Sequence, residues 1–260
     1  MSGNIQGSVV SQETAALLRE YASRYETADF LNGDPSWFMH QVEPVADRVM
    51  LAFLASSLSY GSRAQFFPKI QYMLDSSHGR VEEWVRSGDF AADIPDDPSR
   101  CYYRLYTFGK VHQFLAALRQ MLHDYGSLTG FVRQSAPDGR CITAVSALTS
   151  YFSSRGIEGI IPKNTQSSCK RVCMFMRWMV RSGSPVDLGV WEDLIDRRTL
   201  IMPMDTHVVQ QSMRLGLLKS SSASMSAALR LTSAMSEVFP DDPLKGDFAL
   251  FGYGVNNKLQ

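Results

Sequence analysis

Long apolar stretches are missing from this 260-residue sequence: nothing reaches the ~18 uninterrupted apolar residues that a membrane-spanning helix needs, and the best run, Val49 to Leu58, reads as a buried helix at most. Cysteine is scarce. The four present, Cys101, Cys141, Cys169 and Cys173, form no CxxC pair, so a disulfide scaffold is excluded and neither a zinc site nor an iron–sulfur cluster is expected. Five histidines, His40, His78, His112, His123 and His207, form no HxxxH pair, so no metal and no cofactor are expected either. Charge of one sign is not in excess: 26 Lys plus Arg face 26 Asp plus Glu, which removes a uniformly basic coat as an argument for nucleic acid. Residues Met1 to Val10 hold no basic start to a long apolar run, so neither a secretory signal nor a transit peptide is visible. The expected location is the cytoplasm, at the nucleoid if the chain binds DNA, with thiols reduced and no membrane partner.

What is present is helical periodicity. No stretch alternates for long enough to demand a sheet, and no internal repeat is visible. Leu17, Leu18, Tyr21 and Tyr25 form one stripe, and Val45, Val49, Ala52, Phe53 and Ser56 form another behind Pro44. Further helices are expected at Ala64–Asp75, Lys110–Tyr125, Cys141–Phe152, Ser168–Arg181, Thr206–Leu215, Ala223–Phe239 and Leu244–Tyr253. Glycines such as Gly61, Gly88, Gly109 and Gly216 fall where these helices should stop. Asp89–Pro98 is the one acidic loop, read as a solvated connection, and Ser220–Ser226 reads as a turn opening a helix. The fold class is therefore all-α, in a single domain with chain enough for a large core.

Two segments can carry chemistry. Between Lys163 and Val186 stand five basic residues, Lys163, Lys170, Arg171, Arg177 and Arg181, and no acid. Such a patch attracts phosphates, especially beside the amides of a helix N-terminus, although a solvated helix face with snorkelling arginines has the same pattern. If Ser167 or Ser168 caps the helix, Lys170 lies in its first turn, where the dipole disfavours a cation and favours the neutral amine that Schiff-base chemistry requires. Later in the chain, Asp205 stands as the N-cap of a helix opened by Thr206 and closed by Gly216. Capping holds a carboxylate in a fixed direction, which suits it to a developing positive charge.

Pro203–Val208 (PMDTHV), followed by Arg214-Leu215-Gly216, resembles a segment of the helix-hairpin-helix DNA glycosylase superfamily, which includes the endonuclease III-like repair enzymes. In that superfamily the matching aspartate caps a helix and serves catalysis. The helix Leu51–Gly61 (LAFLASSLSYG) and the segment Asp247–Gly254 (DFALFGYG) are similar to its early and last core helices. Over roughly residues 20–256 the chain also resembles a bacterial family of conserved hypothetical proteins within or beside the superfamily. The resemblance implies a two-lobed bundle, with residues 45–160 as a central lobe, 161–220 as a hairpin-like and catalytic-aspartate region, and 11–44 with 221–256 completing the other lobe.

The superfamily's hairpin reads L-P-G-(V/I)-G-x-K-T, whereas this chain has Ile161-Pro162-Lys163-Asn164-Thr165-Gln166-Ser167-Ser168-Cys169-Lys170, without the glycines. Strict register puts Ser167 at the lysine position. Lys170 lies three residues on and 35 before Asp205, and a divergent archaeal 8-oxoguanine glycosylase branch also separates the two widely. The resemblance therefore implies a glycosylase with AP-lyase activity on a damaged base, such as an oxidised purine, in double-stranded DNA. Lys170 is its nucleophile and Asp205 its carboxylate, while Lys163, Arg171, Arg177 and Arg181 hold phosphates. Trp178 and His207 are candidate pocket residues, and Phe175 and Tyr253 candidate stacking partners. A module that binds DNA or protein without chemistry is the alternative. A metal-dependent nuclease is disfavoured by the lack of a carboxylate pair near the basic run.

Overall fold

The computed structural model of the chain describes residues 10–256; the reading of residues 1–9 as free of an export signal lies outside them. The described chain is mainly helical, and each of the nine expected helices is present. They are α1 (Gln12–Tyr25), α2 (Val45–Leu58), α3 (Arg63–Ser76), then α4 (Val81–Ser87), α5 (Phe90–Asp93), β1 (Cys101–Tyr103), β2 (Tyr106–Thr107) and α6 (Phe108–Tyr125). The remainder are α7 (Leu128–Ser135), α8 (Cys141–Ser153), α9 (Lys170–Val180), α10 (Thr206–Arg214), α11 (Met225–Val238) and α12 (Lys245–Asn256). The elements beyond expectation, α4, α5, α7 and the β1–β2 hairpin, run eight residues or fewer, too short for a periodicity to register.

Helix α2 is buried continuously from Val49 to Leu58, which is why its sequence is apolar all round rather than on one stripe. It is the central rod, touching α9, α4 and the 3-10 turn Pro35–His40. The two ends of the chain pack on one another: α1 runs along α12, and α12 along α10. Gly252 permits the first contact, since a Cβ there would stand 2.1 Å from the ring of Tyr25. This closure brings residues near 30, 205 and 250 to one wall. Local signals hold at several ends: Ser224 caps α11 through the amide of Ala227, and Gly216 follows α10 with φ of 70°.

Two local expectations are corrected. Gly109 does not end a helix but is the second residue of α6, where a Cβ would meet the backbone nitrogen of Pro98 at 2.9 Å. The acidic loop is not a purely solvated connection. It contains α5, Asp93 accepts the indole N–H of Trp84, and Asp97 accepts from the amide and hydroxyl of Ser99. The four thiols are free, and three of them are buried. No helix among the described residues is long and apolar enough to cross a membrane.

Candidate active site

The chain from 154 to 169 runs irregularly between α8 and α9 and is strapped to the start of α11. Ser168 donates its amide to Ala223 O at 3.1 Å, and Met225 donates to Gln166 O at 3.4 Å. Cys169 then turns the backbone through a left-handed conformation, φ 48°, and Lys170 opens α9. The cap is thus Cys169 rather than either serine, because the strap already commits Gln166 and Ser168. Lys170 nonetheless occupies the first turn, as its position in the sequence implies.

Asp205 caps α10, its Oδ1 accepting the amide of Val208 at 2.7 Å. The other oxygen, Oδ2, stands 3.9 Å from Lys170 Nζ. One carboxylate oxygen is spent on the helix, and the second faces the amine. Both side chains are partly open, at 38% and 32% of full exposure, and both line a cavity of about 840 Å³. Its walls include Phe30, Phe251, Tyr60, Met174, Asp247 and His207. Cavities of this size, apolar-walled with a few convergent polar groups, suit a ligand as large as a nucleoside.

The basic run divides. Lys163 is exposed and pairs with Glu158 at 3.2 Å, an acid just outside the acid-free window. Arg171 lines the cavity with its fork committed inward, donating to Ser57 O and Gly159 O at 2.7 Å and to Tyr106 Oη at 2.9 Å. It has no carboxylate partner among the described residues, so its charge still bears on the cavity. Arg177 and Arg181 are a correction: neither is a surface phosphate contact. Both are buried, Arg181 to 1% exposure, because α9 turns that face toward carboxylates brought in by other elements.

The aromatic candidates are corrected likewise. Trp178 and Phe175 are fully buried and do not line the cavity. Tyr253 packs edge-on to Tyr21, outside the lining. The open ring at the mouth is instead Tyr60, 40% exposed and covered on one side by the Arg104 guanidinium at 5.0 Å. Tyr103 donates its hydroxyl to Tyr60 O, tying the β1–β2 hairpin to this rim. Arg63, 3.5 Å from Asp34, adds a second rim cation. Sequence reading passed over Tyr60, Arg63 and Arg104 because no local pattern distinguishes a rim from any other exposed turn.

Behind the cavity, two guanidiniums face four carboxylates. Arg177 pairs with Asp187 and Asp247, and Arg181 with Asp187, Asp242 and Glu26. Asp247 belongs to this group and to the cavity wall, so a second carboxylate does lie near Asp205, contrary to expectation. Among the described residues no group of three His, Cys, Asp or Glu could hold a metal ion. Burial pushes the Asp247 carboxyl up to about 6, with Asp205 and Asp187 adding to the rise and Arg177 opposing it. A folded value above the ordinary 3.8 makes this group's stability contribution complete below about pH 4, and lost as pH rises through 6. Relative to Asp247→Asn, the native chain is expected to lose about 3 kcal/mol between pH 4 and pH 8. Urea unfolding of both chains at the two pH values checks this; parallel curves would refute it.

Residues 34–256 match a family described as "Protein of unknown function (DUF2400)". No curated protein and no solved structure matches the chain.

Proposed function

We propose that this chain, which belongs to the family of unknown function matched by its residues 34–256, is a DNA glycosylase with AP-lyase activity on a two-lobed, helix-hairpin-helix type bundle. The supporting observation is the meeting of an amine and a capped carboxylate, 3.9 Å apart, in one cavity of nucleoside size. Thirty-five residues and an entire irregular segment separate Lys170 from Asp205 along the chain, so their meeting is a product of the fold.

In this reading a damaged base, an oxidised purine, is flipped from the duplex into the cavity at a cost of a few kcal/mol. The Lys170 amine attacks the sugar C1′ as the base departs; breaking of the C1′–O4′ bond, with O4′ taking up a proton, then opens the ring to a Schiff base that goes on to strand cleavage. Asp205 Oδ2 takes the proton from the amine or stabilises positive charge at the sugar. Lys163, Arg63 and Arg104 hold phosphates near the mouth, giving affinity without base choice, and Tyr60 offers a stacking face. The competing reading, a non-catalytic module, rests on one observation: residues 162–169 run as a strap against 223–225 and not as a glycine hairpin presenting amides to a phosphate.

Borohydride trapping on duplex DNA with an abasic site tests the proposal. A covalent adduct supports it, whereas salt-dependent DNA binding without any adduct supports the module. Asp205 separates cap from chemistry. Asp205→Asn keeps an acceptor for the Val208 amide and is expected to slow single-turnover trapping about 10²–10⁴-fold with little loss of stability. Asp205→Ala adds the loss of the cap, about 1 kcal/mol in thermal unfolding. Equal trapping by the native chain and Asp205→Asn would remove the carboxylate from the mechanism.

A further inference from the structure

The four carboxylates behind the cavity are not equivalent. Asp187 is bonded through both oxygens, Oδ1 to Arg177 and Oδ2 to Arg181, and Asp242 accepts from Arg181 through both of its own. Glu26, at the end of α1, takes Arg181 through Oε1. Asp247 uses only Oδ2, on Arg177, and its Oδ1 has no hydrogen-bond partner among the described residues, although the side chain forms part of the cavity wall. Two guanidiniums cannot neutralise four carboxylates, so a buried cluster of this composition favours taking up a proton. Among its carboxylates, Asp247 alone reaches the lining of the cavity that also holds Lys170 and Asp205.

We infer that Asp247 is the proton donor to the departing base, its free Oδ1 carrying the proton and Arg177 fixing the carboxyl plane. This rests on the glycosylase reading and assigns the leaving-group half of the reaction, which Lys170 and Asp205 do not cover. The bonds balance. The Lys170 lone pair forms the new bond to C1′, the glycosidic pair leaves with the purine, and the purine takes the proton from Asp247, leaving a carboxylate. Asp205 accepts the proton released by the lysine, and solvent entering the open cavity returns one to Asp247. The charged groups that act directly on Asp247 are Arg177 from α9, Asp187, and Asp205 at the start of α10; Arg181 just after α9, Asp242 and Glu26 complete the buried cluster, and Lys170, Arg171, Arg63, Asp34 and His207 line the same cavity. Burial among these carboxylates raises the group to about 6, within reach of a neutral solution.

Two substrates and one spectrum test the assignment. Duplex DNA carrying 8-oxoguanine reports base release, and the same duplex with an abasic site reports Lys170 chemistry with no base to expel. Asp247→Asn keeps the side chain's shape and an acceptor for Arg177. It is expected to slow base release about a hundredfold or more, to abolish the fall in rate as pH rises through about 6, and to leave abasic-site trapping within about twofold of native. Difference infrared spectra between pH 5 and pH 7.5 should show a protonated-carboxyl band that Asp247→Asn lacks. Native base release by Asp247→Asn, an equal fall in both reactions, or a band that survives the substitution would each overturn the donor role. A native chain that neither releases 8-oxoguanine nor traps on the abasic duplex would overturn the glycosylase reading, with the band still reporting whether Asp247 holds a proton.

Discussion

Lys170→Ala is expected to abolish the borohydride-trapped adduct with abasic-site DNA, a loss of at least about a thousandfold, because the substitution removes the only group assigned to form the covalent bond. The side chain is partly exposed, and among the described residues its polar partner is Asp205 Oδ2 at 3.9 Å. Removing it should therefore change stability by no more than about 0.5 kcal/mol, and lost trapping would reflect chemistry and not unfolding. Lys170→Arg sharpens the result. A guanidinium keeps the positive charge opposite Asp205 but cannot act as a neutral amine nucleophile, so it should restore DNA affinity and not trapping. An adduct that persists in Lys170→Ala would place the nucleophile elsewhere and sink the assignment.

The second large effect is on stability. Arg181→Met is expected to cost about 3–5 kcal/mol at pH 7, since it leaves the buried Asp242 carboxylate without its cation and Asp187 with Arg177 alone. Methionine fills much of the arginine's volume, so the loss would be electrostatic rather than a cavity effect. Burial already pushes the Asp187 carboxyl up, and removing Arg181 pushes it further. Protonation then relieves the strain, and the defect should be smaller at pH 5 than at pH 7. Urea unfolding midpoints at both values decide it; a variant as stable as the native chain at pH 7 would show that the network does not hold α1, α9 and α12 together.

These two sites differ in how far the sequence discloses them. Asp205 is legible because an N-cap is a local arrangement: the acceptor and the amide it satisfies are three residues apart. The first-turn place of Lys170 is nearly as legible, although the cap is Cys169 and not a serine, because the strap to 223–225 fixes the backbone from a distance. The arginines are illegible. Lys163–Val186 looks like a basic surface since its acids are absent from the segment, yet Arg177 and Arg181 find theirs at Glu26, Asp187, Asp242 and Asp247.

By itself, then, the sequence determined nine of the helices, their main ends, the buried course of α2 and the capping role of Asp205. Each of these depends on residues within a few positions of one another, through periodicity, propensity and local hydrogen bonds. Only the tertiary structure decided that Lys170 and Asp205 share a cavity, that Tyr60, Arg63 and Arg104 form its rim, and that Asp247 stands in its wall. Those relations follow from packing α1, α9, α10 and α12 together. Ion pairs 61 to 155 residues apart in the chain form by that packing, and no local pattern encodes them.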